Sequence, residues 1–190
     1  MMKKIFLLLA IVVTIFLVGT PKADAYEISI TRNPGYYFGT GGEFSIDPTN
    51  GLSFVLSWYD SKAKIGTGDT EAFQSFCLER SEKVYPGTYN AFLNTNAVQG
   101  SVADPGGDPL SQGAAWLYQQ FAEGTLDTYD YTPGDGRISS AAALQAAIWW
   151  LEGEITTLDE YSELGRFKKA LLDEFDSYDD AKLDNKGKYR

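Results

Sequence analysis

The thiol of Cys77 is the strongest candidate nucleophile in the sequence, and it is the only cysteine among the 190 residues. A single cysteine forms no internal disulfide, so this thiol is free, pairs between chains, or takes part in chemistry. Its neighbours Phe76 and Leu78 are apolar, and a free cysteine between apolar residues also suits a hydrophobic core. A reactive Cys77 and a purely structural Cys77 therefore both stay open from these residues alone.

The chain contains no histidine. This absence removes the Ser-His and Cys-His nucleophile pairs, the commonest general base near neutral pH, and most zinc sites. We therefore expect no metal, no cofactor and no enzymatic activity of the triad type.

Acidic side chains offer two further chemistries, and both are weaker candidates. Glu152 and Glu154 match the two-carboxylate requirement of glycoside hydrolysis, but residues two apart on a helix point in different directions. Asp127, Asp130 and Asp135 lie in or near loops that resemble calcium-binding loops in charge, yet they lack the ligand spacing of a helix-loop-helix calcium site. A chance match in an acidic chain is the expected explanation for the glutamate pair, and solvated loop positions are expected for the aspartates.

Four short motifs follow one another along most of the chain after residue 39. They are Phe-Cys-Leu-Glu at Phe76–Glu79, Gly-Asp-Pro-Leu-Ser at Gly107–Ser111, Ala-Trp-Leu-Tyr at Ala115–Tyr118 and Leu-Gln-Ala-Ala-Ile-Trp-Trp-Leu-Glu at Leu144–Glu152. This series resembles the thioester domains of bacterial surface adhesins, with their Thr-Gln-x-Ala-(Ile/Val)-Trp motif. It also resembles exported surface proteins that carry PEP-CTERM sorting signals.

The resemblance implies an internal thioester between Cys77 and Gln145. In that chemistry the thiolate attacks the glutamine carbonyl, ammonia leaves, and an amine such as a lysine on a surface protein or polysaccharide can later displace the sulfur. The reaction requires close approach of the two groups in a site that excludes water. The sequence departs from the adhesin motif at Leu144, where that motif usually has threonine.

Residues around the pair are expected to shield or support the thioester. On a helix, Gln145, Trp149 and Glu152 follow at i, i+4 and i+7, which would place the indole over the carboxamide. Phe76 and Glu79 are the corresponding neighbours of the cysteine. Core packing is the plain alternative for the aromatic residues. The alternative function is a non-covalent carbohydrate- or matrix-interaction module in which Cys77 is structural.

Residues 1–25 have the pattern of a secretory signal peptide, with Lys3 and Lys4, an apolar run from Ile5 to Val18, and a small-x-small site ending at Ala25. We expect cleavage there, a secreted or cell-surface location, and no membrane span afterwards. Cleavage removes three lysines and one aspartate, so the formal charge moves from −10 to −12. Such an acidic surface disfavours nucleic-acid binding.

Strand-like runs separated by turn signals fill the chain up to about residue 94. The expected strands are Glu27–Thr31, Glu43–Ile46, Leu52–Trp58, Ala72–Glu79 and Thr88–Leu93.

Helical periodicity replaces this pattern after about residue 110. Ser111 is expected to cap the first helix, and Ser139 or Ser140 the second, which runs to about Glu152. A third helix is expected over Tyr161–Tyr178. The sequence thus predicts a single α+β domain over residues 26–180, with an antiparallel sandwich or barrel-like N-terminal half, a three-helix C-terminal half, and a disordered tail at residues 181–190.

Overall fold

The structure is a computed structural model that describes residues 10–12, 26–64, 72–94, 96–97 and 107–189. Five antiparallel strands form one sheet in the order β1-β5-β2-β3-β4. The strands are β1 (Ala10–Val12), β2 (Tyr26–Phe38), β3 (Gly41–Asn50), β4 (Phe73–Ser75) and β5 (Gly87–Asn94). A separate short pair consists of β6 (Asn96–Ala97) and β7 (Asp108–Pro109).

The C-terminal part is helical, which confirms the predicted α+β class. Its helices are α1 (Gln112–Ala122), α2 (Asp135–Leu151), α3 (Arg166–Glu174) and α4 (Tyr178–Ala181). Among the described strands, β1 and β4 are the two edges of the sheet and do not pair with each other. The sheet is therefore open, and the barrel-like closure that we expected is not formed. No helix of the described residues is long and apolar enough to cross a membrane.

The interior strand β3 is buried on both faces. Side chains alternate along β2 and β3, so Ile28, Ile30, Phe44 and Ile46 share one buried face, whereas Gly41 and Glu43 of β3 lie on the other and meet helix α2. Helix α2 packs on β2 and β3, and α1 and α3 also contact it. Because neighbours surround it, α2 is buried around most of its circumference, and its alanines fit the restricted space.

The segment expected as strand Leu52–Trp58 is instead a 3₁₀ helix over Ser53–Trp58. Gly51 turns the chain with a φ of +75°, and the hydroxyl of Ser57 donates to the carbonyl of Phe54. Leu52 and Val55 are both fully buried at a spacing of three. Apolar residues at every second position of this run suggested a strand. The residues that are buried, however, are three positions apart, which is the period of a 3₁₀ helix.

Two predicted helices begin or break at other residues than expected. Helix α2 starts at Asp135 rather than after Ser139 or Ser140, and the Ser140 hydroxyl does not cap the helix but donates to the carbonyl of Gly136 within it. The third predicted helix is divided into a short 3₁₀ turn, α3 and α4, since Phe175 is extended and Ser177 caps α4 through the N–H of Asp180.

The C-terminal residues lie against the body of the protein, in contrast to the expected disordered tail. The N–H of Gln112 donates to the carbonyl of Leu183 at 2.8 Å, and the N–H of Asn185 donates to the carbonyl of Leu110 at 2.8 Å. The ring of Tyr189 meets that of Phe175 edge to face. Residues 182–189 therefore add to the helical part, beyond the boundary predicted at residue 180.

A buried ion pair joins the sheet to helix α2. Arg137 of α2 donates to both carboxylate oxygens of Glu43 on β3, and the hydroxyl of Tyr129 donates to the same carboxylate at 2.8 Å. The guanidinium also donates to the carbonyls of Lys62 and Tyr131. These bonds set the position of α2 on the sheet, so they contribute to the placement of every side chain that α2 carries.

Replacing Glu43 by glutamine is expected to destabilise the protein by about 3 to 5 kcal/mol, because it leaves the buried Arg137 charge without its counter-ion. The measurement is the free energy of unfolding in urea. Glu163→Gln is the matched control, since it breaks the exposed Glu163–Arg166 pair and is expected to cost no more than about 1 kcal/mol. Equal losses in the two variants would contradict the role assigned to the buried pair.

Candidate functional site

The structure brings Cys77 and Gln145 into direct contact, although 68 positions separate them in the chain. The N–H of Cys77 donates to Oε1 of Gln145 at 3.0 Å, and Nε2 of Gln145 donates to the carbonyl of Cys77 at 2.7 Å. The carboxamide thus makes two hydrogen bonds to one residue, and only this orientation of the amide matches a donor with an acceptor at both ends. The glutamine side chain is held beside the cysteine backbone.

The contact explains why β4 is shorter than expected. The strand was predicted over Ala72–Glu79, but the ladder with β3 ends at Ser75. Cys77 follows in an irregular segment, because its backbone groups bond to a side chain of α2 instead of a neighbouring strand. Phe76 is buried and meets the ring of Phe121 on α1 edge to face, which anchors this segment to the helical part.

The carboxamide lies in a site without solvent contact. Gln145 has an exposed fraction of 0%, and Trp149, one helical turn later, has 1%. The indole packs against the ring of Phe38 with 5.9 Å between centroids, and the guanidinium of Arg80 lies 6.0 Å from the indole ring centre. Trp149 is therefore buried one helical turn after Gln145, between Phe38 and Arg80, and its role as a shield of the carboxamide stays a prediction.

Gly41, at the start of β3, permits this packing. A Cβ at this position would lie 2.5 Å from Cζ2 of Trp149 and 2.8 Å from Oε1 of Gln145. Both distances are shorter than real side-chain contacts allow, so only glycine lets the strand approach both groups. Nothing in the sequence spacing of Gly41 indicates that it meets α2.

Arg32 is a second residue that the sequence analysis missed. Its guanidinium donates to the carbonyl of Thr40 at 3.1 Å, within the turn that carries Gly41, and stacks over the ring of Tyr37. Burial raises the pKa of the Cys77 thiol to about 12, the charge of Arg32 acts in the opposite direction, and the charge of Glu82 adds to the rise. The thiol is therefore neutral at pH 7, and Arg32 limits the cost of its ionisation.

Glu152 lies at the C-terminal end of α2, and its hydrogen bonds go to Ser111 rather than to the Gln145 carboxamide. Its Oε1 accepts from the hydroxyl of Ser111 at 2.6 Å and from the N–H of Ser111 at 3.2 Å. Ser111 also caps α1 by accepting from the N–H of Ala114, so Glu152 links the end of α2 to the start of α1. Burial raises the pKa of Glu152 to about 7, although both bonds from Ser111 act in the opposite direction.

Glu79 lies two residues after the cysteine and is 6% exposed. Burial raises its pKa to about 8, and the charges of Glu154 and Asp108, a hydrogen bond with Glu154 and the charge of Glu82 add to the rise. The carboxylate of Glu154 in turn accepts from the N–H of Arg80 at 2.9 Å. The carboxyl group of Glu79 therefore holds its proton to a higher pH than an exposed glutamate, which reduces the negative charge beside Cys77.

The weaker candidates do not form the glycosidase or calcium sites considered for them. Glu152 and Glu154 have different partners, Ser111 for the one and Arg80 for the other. Asp127 and Asp130 accept from backbone N–H groups of their own turns. Within the described ranges, no group of three or more acidic or cysteine side chains could hold a metal ion.

Comparison with protein-family models, curated proteins and solved structures found no match for the chain. The contact between Cys77 and Gln145 and the residues around it are therefore the basis for any functional proposal.

Substituting alanine at Gly41 is expected to lower the free energy of unfolding by about 1 to 3 kcal/mol, the usual cost of forcing extra atoms into a packed site. A double-mutant cycle with Trp149→Leu tests the cause, because the shorter side chain leaves room for the new methyl group. We expect a smaller cost of Gly41→Ala in the Trp149→Leu background. Strictly additive costs would show that the methyl group does not meet the indole.

Stability is expected to fall as the pH rises from about 5 to about 8. The folded-state pKa values of Glu79 and Glu152, about 8 and about 7, lie above the ordinary value of 4.5, so the folded protein binds these protons more tightly. The stabilisation is complete at pH values below the pKa of these groups in the unfolded state. It is lost as the pH rises through their pKa values in the folded state. We expect a loss of at least about 1.4 kcal/mol, the equivalent of one pKa unit.

Urea unfolding at several pH values measures this dependence. Glu79→Gln is expected to flatten it, because the amide stays neutral throughout, whereas Glu27→Gln at an exposed position is expected to leave it intact. A stability that rises over the same pH range would contradict the burial of neutral carboxyl groups.

Proposed function

We propose that the protein is an exported surface or matrix protein in which Cys77 and Gln145 form an internal thioester that attaches it to amine-bearing targets. The observation that carries the proposal is the pair of hydrogen bonds between the Gln145 carboxamide and the Cys77 backbone. Together with the complete burial of Gln145, it supports two requirements of the reaction, namely proximity of the two residues and exclusion of water from the carboxamide.

The proposed bond formation uses only atoms of the two residues. The Cys77 sulfur attacks the Cδ carbon of Gln145, and the carbonyl electrons move to Oε1, which already accepts from the Cys77 N–H. The C–N bond then breaks, and the nitrogen leaves as ammonia with the proton from the thiol. A thioester linking the segment after β4 to α2 remains.

The proposed use of the thioester is a single transfer and not turnover. An amine of the target attacks the thioester carbonyl, the C–S bond breaks, and the sulfur takes up a proton to regenerate the thiol. The product is an amide between Gln145 and the target, such as a lysine of a surface protein or an amine on a polysaccharide. Because each molecule reacts once, the protein acts as a covalent adhesin and not as an enzyme.

The second candidate is a non-covalent carbohydrate- or matrix-interaction module with a structural Cys77. The observation in its favour is the high pKa of the thiol, since the thiolate is the reactive form. In that case the hydrogen bonds of Gln145 serve only to fasten α2 to the segment after β4.

Intact-mass measurement of the purified mature protein distinguishes the two candidates. We expect a mass about 17 Da below that of the sequence, equal to one lost ammonia, and methylamine treatment should then add one methylamine and release a titratable thiol. Cys77→Ala and Gln145→Ala should both abolish the loss. Gln112→Ala is the matched control, because Gln112 is also buried but bonds to Asp180 rather than to the cysteine.

A wild-type protein of full mass, with one thiol that titrates in denaturant and no gain of methylamine, would refute the thioester. The structural reading of Cys77 would then be the correct one.

A further inference from the structure

The indole N–H of Trp149 is a buried donor without a partner. Nε1 is fully inaccessible, and no described residue accepts a hydrogen bond from it. A buried donor left unpaired costs about 1 to 3 kcal/mol, and native proteins rarely keep one without a reason. The indole packs against the ring of Phe38 and lies beside Gly39 and Gly41.

Trp149 and the Gln145 carboxamide meet beside Gly41. Cζ2 of Trp149 and Oε1 of Gln145 lie 2.5 Å and 2.8 Å from the same point, the position that a Cβ on Gly41 would occupy. Cζ2 and Nε1 are bonded to the same ring carbon, so the indole N–H lies two bonds from a ring atom that neighbours the carboxamide oxygen. In the unreacted state that oxygen already accepts from the Cys77 N–H at 3.0 Å.

We propose that the Trp149 N–H is the second donor of an oxyanion hole, which it forms with the Cys77 N–H around Oε1 of Gln145. The inference rests on the proposed thioester chemistry. When sulfur attacks Cδ, the carbonyl double bond becomes a single bond and Oε1 takes a full negative charge. The Trp149 N–H, unpaired beforehand, then gains an anionic acceptor.

A donor that finds its partner only in the charged intermediate lowers the barrier without stabilising the starting state. The same oxyanion forms again when an amine or water attacks the finished thioester. The indole N–H therefore accelerates both formation of the thioester and its reaction with the target.

A shielding role and a donor role for Trp149 predict opposite changes in rate. If the indole only excludes water and amines, trimming it should speed attack on the thioester. If its N–H stabilises the oxyanion, removing that N–H should slow attack, by about 10²-fold on the precedent of other oxyanion donors.

The test compares the wild-type mature protein with Trp149→Phe and with a protein that carries 3-benzothienylalanine at position 149. The benzothienyl group has nearly the shape of indole but no N–H, so it preserves packing and removes only the donor. Trp150→Phe is the matched control, because Trp150 packs against Lys182 and Tyr178 and not against the carboxamide. Mass spectrometry measures the fraction of protein that lacks ammonia and the rate of methylamine addition.

We expect slower methylamine addition, or incomplete loss of ammonia, in both position-149 proteins and wild-type behaviour in Trp150→Phe. Addition at the wild-type rate or faster in the benzothienyl protein would overturn the donor role while leaving the thioester intact. A wild-type protein that shows no loss of ammonia would instead refute the proposed function itself.

Discussion

The carboxamide of Gln145 bonds to the backbone of Cys77 where a neighbouring strand would otherwise pair with it. The arrangement of the site depends on this replacement of a strand by a side chain. The carboxamide oxygen and nitrogen make the two bonds that an opposite residue makes in an antiparallel ladder. The sheet therefore ends at Ser75, and the cysteine is fixed to helix α2 and not to another strand. Because one helix carries both Gln145 and Trp149, any force that positions α2 on the sheet also positions the pair relative to the cysteine.

Three sets of contacts position α2, and each is made by residues with no part in the proposed chemistry. The ion pair of Arg137 with Glu43 joins the helix to β3, and the bonds of Glu152 to Ser111 join its end to α1. Gly41 admits the indole and the carboxamide at a distance that any side chain would prevent. A buried glutamine on a helix is costly unless its polar atoms are bonded, so these contacts and the bonds to Cys77 stabilise one another.

The sequence predicted the parts of this arrangement that depend on local pattern. The α+β class, the cap of α1 at Ser111 and the helical position of Gln145 and Trp149 follow from periodicity and capping. The pairing of Cys77 with Gln145 was expected only from the resemblance, since spacing carries no information across 68 positions. Gly41, Arg32 and the partner of Glu152 could not be predicted, because their roles arise where separate elements meet. The 3₁₀ helix at Ser53–Trp58 was missed because its apolar residues fit two periods at once.

The high pKa of the Cys77 thiol is compatible with the proposed thioester once magnitudes are compared. At a pKa of about 12, only about one thiol in 10⁵ is ionised at pH 7. Effective molarities of about 10⁵ to 10⁸ M for well-oriented groups can offset that fraction, and a thiolate of high pKa is also the stronger nucleophile. The burial that limits ionisation acts on the product as well, because a thiol of high pKa is a poor leaving group. In the proposed chemistry, a thiol of high pKa would therefore slow formation of the bond within one molecule, and it would slow attack on the finished bond by water and by amines alike.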